Sequence, residues 1–218
     1  RPSQCEGPKG SRVSAWYAVV YKLRRWLARL CCRDPVVHPE RVIQDGPVIL
    51  AMNHESYLDP PRAGVACNRA IYYLARKTLL EIPVFGPILP KLNVIPVDQE
   101  GNDRSALKAL IRALKANQGV LVFPEGSRTL DGNLQPPLPG IGLVIAKTLA
   151  PVVPMRIFGA HEALPRGGGK LRFCPITIVV GEPLHFTAEE VAGNGREVYP
   201  RLSARVMSAI AALELPPR

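Results

Sequence analysis

Residues 47–61 read PVILAMNHESYLDPP, and the fold turns on them. Pro47 to Met52 is apolar without alternation, the pattern of a strand covered on both faces in a parallel sheet. Asp59-Pro60-Pro61 reads as a helix start: an Asp can cap free N–H groups, and proline suits the first turn, where no N–H partner exists. Between strand and helix lies a short polar turn, Asn53 to Leu58.

The same alternation continues outward. Further strands are predicted at Ala70–Ala75, Val94–Val97, Val120–Phe123, Pro151–Phe158 and within Leu171–Val180. Helices are predicted at Asn102–Asn117, Ile141–Leu149 and Arg196–Leu213. In the first of these Leu107, Leu110, Ile111 and Leu114 share one face, and Gly119 follows as a stop. Lys77 to Lys91 is broken by Pro83, Pro87 and Pro90, so helix there comes in short pieces. Strands alternating with helices predict an α/β, single-domain sandwich with a largely parallel sheet flanked by helices. In such sheets the reactive groups gather beyond the carboxyl ends of the strands.

Upstream, residues 1–12 read as a mobile basic arm and 13–33 as an amphipathic helix, leaving 34–218 as the folded domain. Trp16, Val19, Val20, Leu23, Trp26, Leu27 and Leu30 recur at helical steps, beside a stripe of Lys22, Arg25 and Arg29. Such a helix suits the headgroup layer of a bilayer, or packs on the core with its bases in water. The chain carries 28 Lys or Arg against 18 Asp or Glu, a net charge of +10. Nine of those bases, against three acids, stand in residues 1–41. A basic, apolar-faced terminus attracts anionic lipid; no nucleic-acid-binding motif accompanies it. The five cysteines are odd in number and lack a Cys-x-x-Cys pair, so neither a disulfide framework nor a zinc site is expected. No apolar run reaches the ~20 residues of a membrane span, and no secretory signal is visible. The expectation is a peripheral protein on the cytoplasmic face of a membrane.

Two segments carry chemistry. In Asn53–Asp59 (NHESYLD), His54 is a candidate general base and Asp59 its partner. A hydroxyl nucleophile needs a base, and imidazole titrates near neutrality. A carboxylate on the second ring nitrogen sets the tautomer. On a regular helix, side chains five apart point about 140° away from one another, so these two meet only if the backbone bends. Ser56 and Tyr57 stand in no G-x-S-x-G turn and are poor nucleophiles. In Phe123–Arg128 (FPEGSR), Arg128 can grip a phosphate in bidentate fashion, Glu125 can orient the guanidinium, and Gly126 and Ser127 bring backbone N–H groups close. Each segment alone also has a plain reading, as a structural histidine or a surface ion pair.

Together and in this order, the segments resemble the glycerolipid acyltransferase family typified by lysophosphatidic acid acyltransferases. NHESYLDP is similar to its His-plus-Asp box and FPEGSR to its phosphate-binding box. VIPVD at Val94–Asp98 is similar to the strand box between them, and PVVPM at Pro151–Met155 to the late hydrophobic box. Lys77 stands where members often carry a lysine. The resemblance implies transfer of a fatty acyl group from acyl-CoA or acyl carrier protein to a lysophospholipid hydroxyl, with 1-acylglycerol-3-phosphate as the leading acceptor. It implies catalysis by His54 and Asp59, and phosphate binding by Glu125, Gly126, Ser127, Arg128 and Lys77. It requires no metal and no cofactor beyond the donor co-substrate. The sequence departs from the pattern at three places. Gln99 replaces a common Arg, Asn93 a common Gly, and Leu138-Pro139-Gly140 a Lys-Gly pair. Thioesterase or transacylase chemistry on the same fold, and non-enzymatic binding of anionic lipid, are the alternative readings.

Overall fold

β2 (Val48–Met52) is buried along its whole length, so both of its faces need cover. The structure, a computed structural model, describes residues 35–67, 69–76, 93–97, 104–167 and 171–217. The arm of residues 1–12, the helix of 13–33, Lys77 and Gln99 lie outside the described residues.

Around β2 are β1 (Val36–Val37), β3 (Ile71–Arg76), β4 (Val94–Val97), β5 (Gly119–Val122), β6 (Val152–Phe158) and β7 (Thr177–Val180). Among the described residues they form one sheet in the order β1-β7-β6-β2-β5-β3-β4. Every neighbouring pair is parallel except β6 with β7. Those two are joined without a crossover helix, and a chain that turns back at the same end of a sheet can only pair antiparallel.

Alternation along β2 sends Val48, Leu50 and Met52 to one face. There they meet Ala63 and Ala66 of α1 (Asp59–Ala66), and Ala160 and Ala163 of the single-turn α4 (Ala160–Ala163). Ile49 and Ala51 face the other side. That side is covered by Leu110 and Leu114 of α2 (Arg104–Lys115), Val144 and Ile145 of α3 (Gly140–Thr148), and Val198, Leu202, Val206 and Ile210 of α6 (Gly195–Ala211). Each such side chain removed from water contributes roughly 1.5–3 kcal/mol. α3 approaches α6 so closely at Gly142 that a Cβ there would stand 2.0 Å from the Tyr199 carbonyl oxygen. Ser203 is buried in the same seam and accepts from the Gly142 N–H at 3.1 Å.

Among the described residues the predicted strands and helices are present with ends shifted by a residue or two; the short helical pieces predicted between Lys77 and Lys91 lie outside them. Four short elements escape periodicity: β1, the turn of 3-10 helix at Pro39–Arg41, α4, and α5 (Ala188–Val191). α5 carries a readable signal all the same, a capping box between Thr187 and Glu190. Asn93 has φ +56°, a left-handed backbone that glycine adopts freely and asparagine tolerates. Its substitution for glycine therefore preserves the turn before β4. Among the described residues no helix is long and apolar enough to cross a membrane.

Candidate active site

β2 ends at Met52, opposite Met155 of β6. Asn53 extends the ladder with its side chain: its Oδ1 accepts from the Ile157 N–H at 2.8 Å, and its Nδ2 donates to the Ile157 carbonyl at 3.0 Å and to Glu55 at 3.1 Å. The amide replaces a backbone rung, so the chain can leave the sheet here without orphaning β6.

The bend that follows closes on Asp59. Its Oδ2 accepts from His54 Nδ1 at 2.7 Å, from the Glu55 N–H at 2.6 Å and from the Ser56 N–H at 2.7 Å. Asp59 does not cap α1, as the sequence suggested it could; the cap position is Leu58, with no side-chain bond. Asp59 is the first helical residue and looks backward into the turn. Two backbone N–H donors and the start of the helix face its Oδ2. Asp59 is fully buried, whereas the His54 side chain is 18% exposed. A carboxylate only accepts, so His54 donates through Nδ1 and keeps its lone pair on Nε2. The imidazole stacks on Phe123, with ring centroids 3.9 Å apart and planes 14° apart. That face contact fixes its rotation, so the pair is held in the geometry a general base needs.

The segment after β5 lies against the first. The Thr129 N–H donates to the His54 carbonyl at 2.8 Å. Gly126 has φ +71°, and the Leu138 side chain covers it. Arg128 lays its guanidinium over the Tyr57 ring, 3.5 Å from the centroid. Its Nη1 is buried without a hydrogen-bond partner among the described residues. Ser127 is half-buried beside it.

Glu125 differs from expectation. It does not orient Arg128; its Oε1 accepts from the His54 N–H at 3.0 Å and its Oε2 from the Gln135 N–H at 3.2 Å. Both oxygens of this buried carboxylate thus tie the two loops together as a strut. Burial raises its pKa, which the two N–H bonds partly offset. Glu55 is also buried, and its pKa is pushed up to about 7, first by desolvation and then by the charges of Asp59 and Glu162. The N–H groups of Ala160 and His161 bind its Oε2, each at 3.0 Å, and oppose that rise.

The structure thus brings together His54, Asp59, Glu125, Gly126, Ser127 and Arg128 at the carboxyl end of the sheet, while Lys77 lies outside the described residues. Asn53, Phe123 and Tyr57 have supporting roles that the sequence reading missed. Asn53 and Phe123 could have been suspected only as direct neighbours of the two segments; the Tyr57–Arg128 stack has no sequence signal. Among the described residues no cluster of His, Cys, Asp or Glu could hold a metal ion.

The family model for acyltransferases matches residues 34–158. A 1-acyl-sn-glycerol-3-phosphate acyltransferase of Bacillus subtilis is 30% identical over 69% of this chain and 73% of its own length. The chloroplastic 1-acyl-sn-glycerol-3-phosphate acyltransferase BAT2 of Brassica napus is 28% identical over 65% of this chain. The match spans only 42% of that longer plant protein. The crystal structure of the 1-acyl-sn-glycerophosphate acyltransferase PlsC from Thermotoga maritima superposes with a TM-score of 0.69. It covers 92% of this chain and 83% of its own, at 23% identity, and shares the fold.

Proposed function

Since this chain belongs to the acyltransferase family, we propose that it transfers a fatty acyl group to the free hydroxyl of 1-acylglycerol-3-phosphate, giving phosphatidic acid. The observation that carries the reading is the His54–Asp59 contact at 2.7 Å, in a bend that leaves Nε2 without a partner among the described residues. His54 takes the acceptor hydroxyl's proton at Nε2. The alkoxide attacks the thioester carbonyl of acyl-CoA or an acyl carrier protein directly, and the thiolate leaves. Asp59 stabilises the imidazolium, which returns the proton to the departing sulfur. No acyl-enzyme forms. Arg128, with its unpartnered Nη1 and its stack on Tyr57, holds the acceptor's phosphate.

Acceptor and product are both lipids, so the enzyme works at a membrane surface, which residues 13–33 help it reach. The test is mass spectrometry of products from labelled acyl-CoA or acyl carrier protein, with a panel of lysolipids, using wild type and His54→Ala. Labelled phosphatidic acid from wild type alone is expected. Free labelled fatty acid as the main product, or transfer by His54→Ala at the wild-type rate, ends this reading. Flotation with anionic vesicles, with and without residues 1–33, tests the surface role.

A further inference from the structure

Beyond α4 the chain continues as Leu164-Pro165-Arg166, and it is tied to both functional segments. Ser56 Oγ donates to the Leu164 carbonyl at 2.7 Å. Arg166 Nη1 donates to the carbonyl of Arg128 at 2.7 Å. A second guanidinium therefore lies against the backbone of the residue that carries the first. Arg166 makes no other polar contact among the described residues, so most of its five N–H donors remain free.

Among the described residues the neighbouring carboxylates are engaged elsewhere. Asp59 is taken by His54 and two backbone N–H groups, Glu55 by the N–H groups of Ala160 and His161, and Glu125 by those of His54 and Gln135. Neither Arg128 nor Arg166 has an acidic partner among the described residues, and Arg128 Nη1 is buried and unbonded. Two partly buried guanidinium groups without a carboxylate among the described residues favour an arriving anion. The segment Leu138-Pro139-Gly140 supplies no base on the other side of the Gly126 turn. Arg166 brings a base to the Arg128 backbone from the segment that follows β6 and α4.

We propose that Arg166 is a second phosphate-binding group, forming with Arg128 a two-guanidinium clasp for a phosphate monoester of the substrate. The identity of that substrate rests on the function proposed above. The phosphate can belong to the lysolipid acceptor or to the CoA donor, and kinetics separate them.

The variant is Arg166→Ala, compared with wild type in acyl transfer and in calorimetric titration with glycerol 3-phosphate. Loss of charge-assisted hydrogen bonds of this kind weakens binding by about 10- to 100-fold. KM for 1-acylglycerol-3-phosphate is expected to rise by that factor, with kcat and KM for acyl-CoA little changed, and glycerol 3-phosphate affinity is expected to fall in parallel. A rise confined to acyl-CoA assigns the clasp to the donor's phosphate. Unchanged KM for both substrates overturns it. So does an equal loss with phosphate-free monoacylglycerol, which marks a prop for the loop. Should wild type acylate no lysolipid at all, the proposed function falls, while the titration still decides the clasp. The same titration is run with CoA: binding of neither glycerol 3-phosphate nor CoA to wild type at millimolar concentration, or equal binding of both to the two proteins, rejects it.

Discussion

Glu125 holds His54 by its backbone: Oε1 of the one accepts from the N–H of the other at 3.0 Å. The buried carboxylate of the second segment thereby sets where the first segment's imidazole stands. Glu125→Ala leaves the N–H groups of His54 and Gln135 without an acceptor. It should lower unfolding free energy by about 1–3 kcal/mol and kcat more than about tenfold. KM for the acceptor should hold, since both oxygens of this carboxylate bind backbone N–H groups. A raised KM at constant kcat would restore Glu125 to the phosphate site.

His54→Ala should lower kcat by about 10²- to 10⁴-fold with an unchanged circular dichroism spectrum. Asp59→Asn should cost less than that, because an amide oxygen can still accept from the Glu55 and Ser56 N–H groups. Its NH₂ then falls at the place of Oδ1, which is buried without a partner. Turnover by Asp59→Asn equal to wild type would remove the carboxylate from the mechanism.

Tyr57 is 58% exposed, yet its ring supports Arg128 at 3.5 Å. Tyr57→Phe keeps the ring and should behave as wild type. Tyr57→Ala removes a cation–π contact and should raise acceptor KM by about 3- to 30-fold with kcat little changed. Steady-state kinetics at saturating acyl-CoA measure both, and indifference of KM to the alanine variant rules the platform out.

Two glycines should respond differently to alanine. At Gly126 the added Cβ meets the tip of Leu138, an exposed side chain that can swing away, so the left-handed φ of +71° sets a loss of about 1–2 kcal/mol. At Gly142 it meets the Tyr199 carbonyl at 2.0 Å, and α3 must separate from α6. That loss should exceed about 3 kcal/mol or prevent folding. Urea midpoints compare them, and equal midpoints would contradict the packing described.

Glu55 should make stability fall with rising pH. Its folded pKa of about 7 lies above its ordinary 4.5, so the folded state binds the extra proton. The stabilisation is full below about pH 4.5 and is lost as pH climbs through 7, with a size on the order of 3 kcal/mol. Glu55→Gln cannot titrate and should flatten that slope between pH 5 and pH 8. Parallel slopes in the two proteins would show that the carboxyl titrates normally.

The sequence by itself determined most of the strands and helices, the α/β class and the end of the sheet at which chemistry gathers. Those follow from local periodicity and from the rule that polar turns after buried strands emerge together. It also stated the condition on His54 and Asp59, a bend between them, without containing it. Tertiary structure decided the rest. Asn53 releases the chain from the sheet only because Ile157 of β6 stands beside it, and Glu125 is a strut only because the His54 N–H faces it. Tyr57 and Arg166 reach Arg128 across separations that no local pattern records. A side chain's role follows from which donors and acceptors lie within about 3 Å, and packing chooses those neighbours from all over the chain.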